Sequence, residues 1–337
     1  KVYYMKSIYY WTPFTSKVAT IEAVINSAEA INKYSKKYEA TIINAIGEFD
    51  EYQQTLKKKK INVINLQKYS LINILPKRGF ILSRIAYLII FFISFIPLFN
   101  LLKVKKPDYL LSHLITSLPL FIFFLSSKKT KLILRISGLP KLTLLRKFFW
   151  KISKKNIYKI FCPTQSTMNY LINENIFSKD KIYLLRDPII NVEKLRYLQK
   201  ESINKNELTD NFFVCIGRLT KQKNFSLVID NYDKILEIDN NLKLYIIGDG
   251  ECYKEFKKKI DAKKLYNKIQ LLGYKKNVYK YLKKAKFFLL TSLWEDPGWV
   301  LIEAAANNTP IISSNCKNGP PEFIEKNSGG ILFENNK

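Results

Sequence analysis

A chain of 337 residues, 47% hydrophobic and 25% charged, is long enough for two domains and too apolar to be disordered. Its 56 lysines and arginines against 28 acids leave a formal charge of +28, a strong positive field at neutral pH. Three origins compete: nucleic-acid binding, attraction to an anionic membrane surface, and a codon bias toward Lys, Asn and Ile. Nucleic acid is disfavoured, because the lysines are spread along the whole chain and no zinc-finger, RNP or helix-turn-helix signature accompanies them.

The chain opens Lys1-Val2-Tyr3-Tyr4 ahead of Met5, which makes Met5 a candidate natural start or the sequence a fragment; no signal peptide precedes the first strand. Short apolar runs predict strands over 7–11, 40–46, 61–65, 109–113, 131–136 and 160–162, and apolar positions three to four apart predict a helix over 18–34. A polar stretch, 191–211, then separates this from a second series. Strands are predicted over 212–216, 242–247, 269–272, 287–291 and 310–313, with helices over 225–238 and 278–284. Strand–helix alternation on this scale predicts α/β lobes with parallel sheets, one over 1–190 and one over 205–337, with the boundary near 188–210.

Residues 80–102 are apolar except for Ser83, Arg84, Ser94, Pro97 and Asn100, and are long enough to span a bilayer. Spanning would put strands of one sheet on opposite sides of the membrane. The reading preferred here is a helix, or a pair broken at Pro97, that packs on the first lobe and presses an apolar face into the membrane interface. Lys77, Arg78, Lys103, Lys105 and Lys106 would then sit among lipid headgroups. The alternative is a fully buried core helix.

Two clusters carry chemistry. In the first, a strand ends at Gly217 and is followed by Arg218 and Lys223 ahead of a predicted helix, a set that suits a diphosphate: the guanidinium grips two oxygens, the ammonium adds a point charge and the helix end adds N–H donors. In a lysine-rich chain that spacing also arises by chance. The second is Glu295-Asp296-Pro297-Gly298-Trp299-Val300-Leu301-Ile302-Glu303. Pro297 suits the first turn of a helix, so that Gly298, Trp299, Val300 and Leu301 would offer free N–H groups to an anion. Glu295 in the loop and Glu303 a turn or so into the helix could address different hydroxyls of one ligand. The plain alternative makes Glu295 and Asp296 ordinary first-turn acids and Glu303 part of a solvated face. Four widely spaced cysteines and one histidine give no metal-binding cluster and fit reduced thiols in a cytoplasmic protein.

Gly-Arg-Leu-x3-Lys-Asn from Gly217, the Gly-Asp-Gly turn at Gly248, Leu272-Gly273-Tyr274, the Glu-x7-Glu from Glu295, and the stretches 307–314 and 319–322 together resemble glycosyltransferase family 4, a retaining family of GT-B fold. The resemblance is specific over 213–333 and diffuse over the first lobe. It implies two Rossmann-like lobes whose parallel sheets face a central cleft, a nucleotide-diphosphate sugar as co-substrate (a UDP-sugar favoured over a GDP-sugar), and no metal or other cofactor; no Asp-x-Asp pair is present. Carried over by position, Arg218 and Lys223 would neutralise the diphosphate, Glu303 would hold the ribose hydroxyls, and Glu295 would contact the transferred sugar. Gly298, Trp299, Val300 and Leu301 would lie near the distal phosphate and sugar, with Gly273 and Tyr274 beside the base. His113, at the end of a first-lobe strand, would reach the donor sugar. Thr15, Ser16 and Lys17 stand where the family has a Gly-rich loop, a departure, and with Arg135 are acceptor-side candidates. A second departure is that the chain stops at Lys337, before the helix that usually crosses back to the first lobe.

Together with the charge and the 80–102 segment, these readings predict transfer of a sugar to a glycan acceptor, lipid-linked, by an enzyme peripheral on the inner face of the plasma membrane. The alternatives are an enzyme of the same fold acting on a soluble acceptor, and a non-catalytic membrane-associated nucleotide-binding module.

Overall fold

A computed structural model of the chain describes residues 5–15, 20–76, 80–126, 129–203, 208–209, 211–295, 297–324 and 329–335. The chain divides into two compact units, 1–189 and 190–337. In chain order the first unit contains β1 (Lys6–Trp11), α1 (Thr20–Tyr34), β2 (Tyr38–Asn44), α2 (Gln53–Lys58), β3 (Asn62–Asn65), α3 (Phe80–Lys105), β4 (Tyr109–Ser112), α4 (Ser117–Leu125), β5 (Lys131–Arg135), α5 (Leu144–Ser153), β6 (Ile157–Cys162), α6 (Gln165–Asn173) and β7 (Ile182–Leu184).

The seven strands form one parallel sheet in the order β3-β2-β1-β4-β5-β6-β7, with Trp11 paired to Ile43 on one side and to Ser112 on the other. The order reverses between β1 and β4. Right-handed crossovers therefore put α1 and α2 on one face and α3 to α6 on the other. The cores follow from the two-residue period of a strand. Tyr10 packs with α1 residues such as Val24 and Ile25, whereas its neighbour Trp11 packs with Ala86 and Ile90 of α3 and Trp150 of α5. On that second face α4 lies against both α3 and α5.

The second unit contains α7 (Val192–Leu198), β8 (Phe212–Ile216), α8 (Ser226–Asp230), α9 (Tyr232–Ile238), β9 (Lys243–Ile247), α10 (Tyr253–Ala262), β10 (Ile269–Gly273), α11 (Tyr279–Lys284), β11 (Phe288–Leu290), α12 (Trp299–Ala306), β12 (Ile311–Ser314), α13 (Pro320–Ile324) and β13 (Gly330–Phe333). Its six parallel strands run β10-β9-β8-β11-β12-β13, reversing between β8 and β11. All five residues of β8 are buried, as expected for a central strand covered on both faces, which is why its sequence, Phe-Phe-Val-Cys-Ile, shows no alternation.

The structure departs from the predicted elements in a few places. The helix predicted over 225–238 is two helices broken at Asn231, whose side-chain amide donates to the Leu227 carbonyl at 2.9 Å and so competes with the backbone ladder. β7 and β13 were not predicted; each is a three- or four-residue edge strand, too short to show a period. The apolar segment is a single helix that continues through Pro97 and ends three residues later than predicted. It is not a core helix: Ile81, Leu88, Phe92 and Ile96 are 59–72% exposed.

Candidate active site

Both reversals of strand order create a crevice beyond the carboxyl ends of the central strands, and the polar residues of each unit collect there. In the second unit the reversal lies between β8 and β11. β8 is followed by Gly217, whose amide donates to the Ile247 carbonyl at 3.0 Å. The chain then turns through a 3-10 turn, Lys221–Lys223, which closes on Asn224 in the left-handed region at φ 49°, a conformation that asparagine tolerates. The segment is sewn to the loop after β11. Gln222 donates its side-chain amide to the Trp294 carbonyl at 2.9 Å and accepts the Leu293 amide at its own carbonyl at 2.9 Å, while the Thr291 hydroxyl donates to the Lys223 carbonyl at 2.8 Å.

These bonds bring together two residues 72 positions apart. The Lys223 ammonium donates to Glu295 Oε1 at 2.5 Å, and the Ser292 hydroxyl donates to the same oxygen at 2.5 Å. The two side chains are only 12% and 6% exposed, so this is a buried ion pair. Arg218, by contrast, is exposed, and its guanidinium makes no hydrogen bond or ion pair among the described residues. The Cys316 thiol lies beside the pair and is pushed up to about 11, chiefly by burial, so it stays protonated at neutral pH.

α12 begins after Gly298, which caps it at φ 82°. Pro297 therefore precedes the cap and does not occupy the first turn as predicted. The expectation of four free amides is also corrected: the Leu301 amide donates to the Gly298 carbonyl at 2.9 Å. Trp299 and Val300 stand at the helix end, where amides have no intrahelical carbonyl to reach, and the buried indole Nε1 of Trp299 has no partner among the described residues. Glu303 is in the second turn and half-buried, not part of a solvated face; the Tyr279 hydroxyl, from α11, lies 3.4 Å from its Oε1. Gly273 ends β10 at φ 69°, and Tyr274 after it is 71% exposed. Asp296 lies outside the described residues.

In the first unit Thr15 is buried in the loop after β1, and Ser16 and Lys17 lie outside the described residues. His113 directly follows β4, at the point where strand order reverses. Its ring stacks on Tyr10 at 6.0 Å, and Nε2 is buried without a partner among the described residues. Arg135 ends β5 and is also buried. Its guanidinium donates to Asp187 Oδ1 from Nη2 at 2.5 Å and from Nε at 3.1 Å, which leaves Nη1 without a partner among the described residues. His113, Arg135 and Asp187 line a cavity of about 590 Å³ closed on one side by Ser27, Ala30 and Ile31 of α1. A neutral imidazole and a spare guanidinium N–H can both donate to a ligand oxygen there. Among the described residues no three His, Cys, Asp or Glu side chains come together to hold a metal ion.

Three participants were missed in the sequence. Ser292 and Tyr279 carry no motif of their own, and Asp187 sits in a loop with nothing to mark Arg135 as its partner. Glu48 is fully buried after β2, where its carboxylate accepts the amides of Ala45 and Ile46 at 3.0 and 2.7 Å. Burial, the largest cause, raises it to about 7.

Burial, and secondarily the charge on Arg135, lowers His113 to about 3 against an ordinary value of 6.5. The folded state therefore resists protonation that the unfolded chain accepts below pH 6.5. Stability contributed by neutral His113 is complete above that pH and is lost as pH falls from about 6.5 toward 3, by a few kcal/mol at most. Glu48, raised, acts in the opposite sense between about 4.5 and 7, so the test is a difference. The stability of His113→Gln relative to wild type, from urea melts, is expected to rise as pH is lowered from 7 to 4; a pH-independent difference would remove the case for a buried neutral imidazole.

Residues 198–337 match the family of glycosyl transferases group 1. An uncharacterized glycosyltransferase of Methanocaldococcus jannaschii is 31% identical over 243 residues, 67% of this chain and 60% of the relative. An N-acetylgalactosamine-N,N'-diacetylbacillosaminyl-diphospho-undecaprenol 4-alpha-N-acetylgalactosaminyltransferase of Campylobacter jejuni is 27% identical over 214 residues, 61% of this chain and 57% of the relative. The chain thus spans less than two thirds of the length of these relatives. Among solved structures, S. aureus TarM superposes with a TM-score of 0.75 at 16% identity, over 99% of this chain and 90% of that one. HepE of Anabaena, solved with UDP and glucose, superposes with 0.66 at 14% identity, over 98% and 86%. With two all-parallel Rossmann-like units in one chain, the fold is GT-B, and residues 198–337 match the glycosyl transferases group 1 family.

Proposed function

We propose that the chain is a retaining glycosyltransferase of family 4 that moves a hexosyl or N-acetylhexosaminyl group from a nucleotide-diphosphate sugar, a UDP-sugar in preference to a GDP-sugar, to a lipid-linked glycan at the inner face of the cytoplasmic membrane. The observation that carries this is the cluster at the ends of β8 and β11: Lys223 held by Glu295, the open start of α12, and, without side-chain partners among the described residues, the exposed Arg218 and the indole N–H of Trp299. A nucleoside diphosphate gains charge as its bond to the sugar breaks. Fixed cations and helix-end amides stabilise that charge more in the transition state than in the ground state. Lys223 is held in place by Glu295 before donor arrives, so little reorganisation is needed. Glu303, in the second turn of the same helix, reads the ribose hydroxyls, and Gly273 and Tyr274 flank the base. His113 and Arg135 line the cavity of the first unit, where each has a hydrogen-bonding atom without a partner among the described residues. The lipid-linked acceptor is supported by the Campylobacter relative, named for transfer to a diphospho-undecaprenol substrate, and by the basic, apolar face of α3.

The test is thermal stabilisation by UDP, GDP, ADP and their common sugars, on wild type and on Glu303→Ala. We expect UDP and its sugars to raise Tm, with the shift lost in the variant. No shift with any nucleotide would overturn the reading; a shift that Glu303→Ala retains would remove Glu303 from the donor site.

A further inference from the structure

We propose that the first unit docks on an anionic bilayer surface through one apolar face built jointly from α3 and α5, with α5 lying as a second interfacial helix beside the long one. This deepens the membrane-face reading above and rests on it. α3 alone has a mean hydropathy of 2.4 over its most apolar window, yet only 28% of that window is buried. It is not free to span a membrane, because it is the crossover between β3 and β4, which belong to the same parallel sheet. Its buried flank (Ala86, Ile90, Leu98, Leu102) packs on that sheet. The opposite flank, Ile81, Ile85, Leu88, Phe92 and Ile96, repeats every three to four residues and is 42–72% exposed; toward the C-terminus that flank ends at the exposed Lys103.

α5 repeats the arrangement on a shorter scale. Trp150 and Ser153 face the core, while Leu144, Leu145 and Phe148, on the far side of the helix, are 86%, 82% and 65% exposed. An amphipathic helix turned with its apolar side outward has no stable place in water. The exposed Phe124 and Leu125, at the end of α4, lie between the two helices.

Two observations identify the occupant as anionic lipid. First, residues 80–155 hold 14 lysines and arginines against one acid, Asp108, and that acid is engaged with Ser7 beneath the sheet. Lys141, Lys151, Lys154 and Lys155 are exposed beside the apolar side of α5, and Lys147 pairs with Glu174, just after α6, at 2.5 Å. An apolar centre with a cationic border matches lipid tails beneath phosphate headgroups. Second, Arg146 at the start of α5 is lowered by burial and by the like charge of Arg84. Arg84 of α3 is thus near enough to Arg146 for their like charges to act on one another, a repulsion that an anionic headgroup relieves.

The proposal is tested by sedimentation with vesicles of phosphatidylcholine alone and of phosphatidylcholine mixed with phosphatidylglycerol. We expect wild type to pellet with the mixed vesicles and far less with the neutral ones. The triple variant Leu144→Glu/Leu145→Glu/Phe148→Glu is expected to lose binding at least about tenfold, with Tm and nucleotide-induced stabilisation unchanged because these side chains touch no core. In a separate variant, Leu145→Trp emission is expected to shift to the blue on mixed vesicles. Wild type that stays in the supernatant would overturn the membrane reading itself. Wild type that pellets together with an equally bound triple variant would overturn only the surface assigned here. A concentration-dependent dimer abolished by the triple variant, with vesicle binding unaltered, would make the face a contact between copies of the chain and overturn the proposal.

Discussion

Lys223→Ala is expected to destabilise the second unit by about 3–5 kcal/mol and, with donor present, to lower kcat/KM by a factor of about 100–1,000. The first effect arises because Glu295, 6% exposed, is left with only the Ser292 hydroxyl as a side-chain partner among the described residues. An uncompensated buried carboxylate costs far more than the pair contributes when intact. Lys223→Met/Glu295→Leu, which removes both charges and keeps the volume, is therefore expected to recover most of the stability and none of the activity. That separation is the diagnostic result. Urea melts and initial rates on the three proteins measure it. If the double variant is as unstable as Lys223→Ala, the lone buried carboxylate is not the cause of the instability. If it retains activity, neither group serves the donor.

Gly248→Ala is expected to be more damaging still, by more than about 4 kcal/mol, to the point that the second unit does not accumulate folded. Gly248 ends β9 at φ 150°, and a methyl built there would lie 1.8 Å from the Gly217 carbonyl oxygen. That neighbour is backbone and cannot rotate away. It is also held, since the Gly217 amide donates to Ile247 and the Gly248 amide to the Gly273 carbonyl at 2.9 Å. The contrast is Gly217 itself, where a Cβ would meet the Lys223 side chain at 2.9 Å. There the obstacle is a side chain and not backbone, although φ 157° strains any Cβ, so Gly217→Ala is expected to lose less stability than Gly248→Ala and to weaken nucleotide stabilisation by displacing Lys223. Far-UV circular dichroism and soluble yield separate the two variants. A folded Gly248→Ala with an unchanged Tm would mean that β8 and β9 end further apart than described.

The parts of this protein legible in one sequence are those where local chemistry and tertiary role coincide. Phe212–Ile216 reads as a buried strand because a central parallel strand is apolar on both faces, and nothing distant is needed to see it. Gly217, Gly273 and Gly298 mark strand ends and a helix start because those positions take backbone conformations that disfavour a side chain. Pro297 and Gly298 likewise announce the helix that carries Glu303, although it starts after Gly298 and not at Pro297. Tertiary structure decided what no window of sequence contains. Lys223 and Glu295 are 72 residues apart, and only the adjacency of β8 and β11 joins them. Arg135 meets Asp187 because β5 and the segment after β7 end on the same side of the sheet. The outward direction of Leu144, Leu145 and Phe148 is of the same kind: periodicity shows that α5 has an apolar side, but which side meets the core is set by the neighbours that already cover Trp150. Sequence by itself determined the strand and helix types, the glycine turns and the two-lobed α/β class, because these rest on contacts within a few residues. Strand order, ion pairing, the neutral state of His113 and the exposed apolar face were decided by contacts that close long loops, and such contacts exist only once the sheets have assembled.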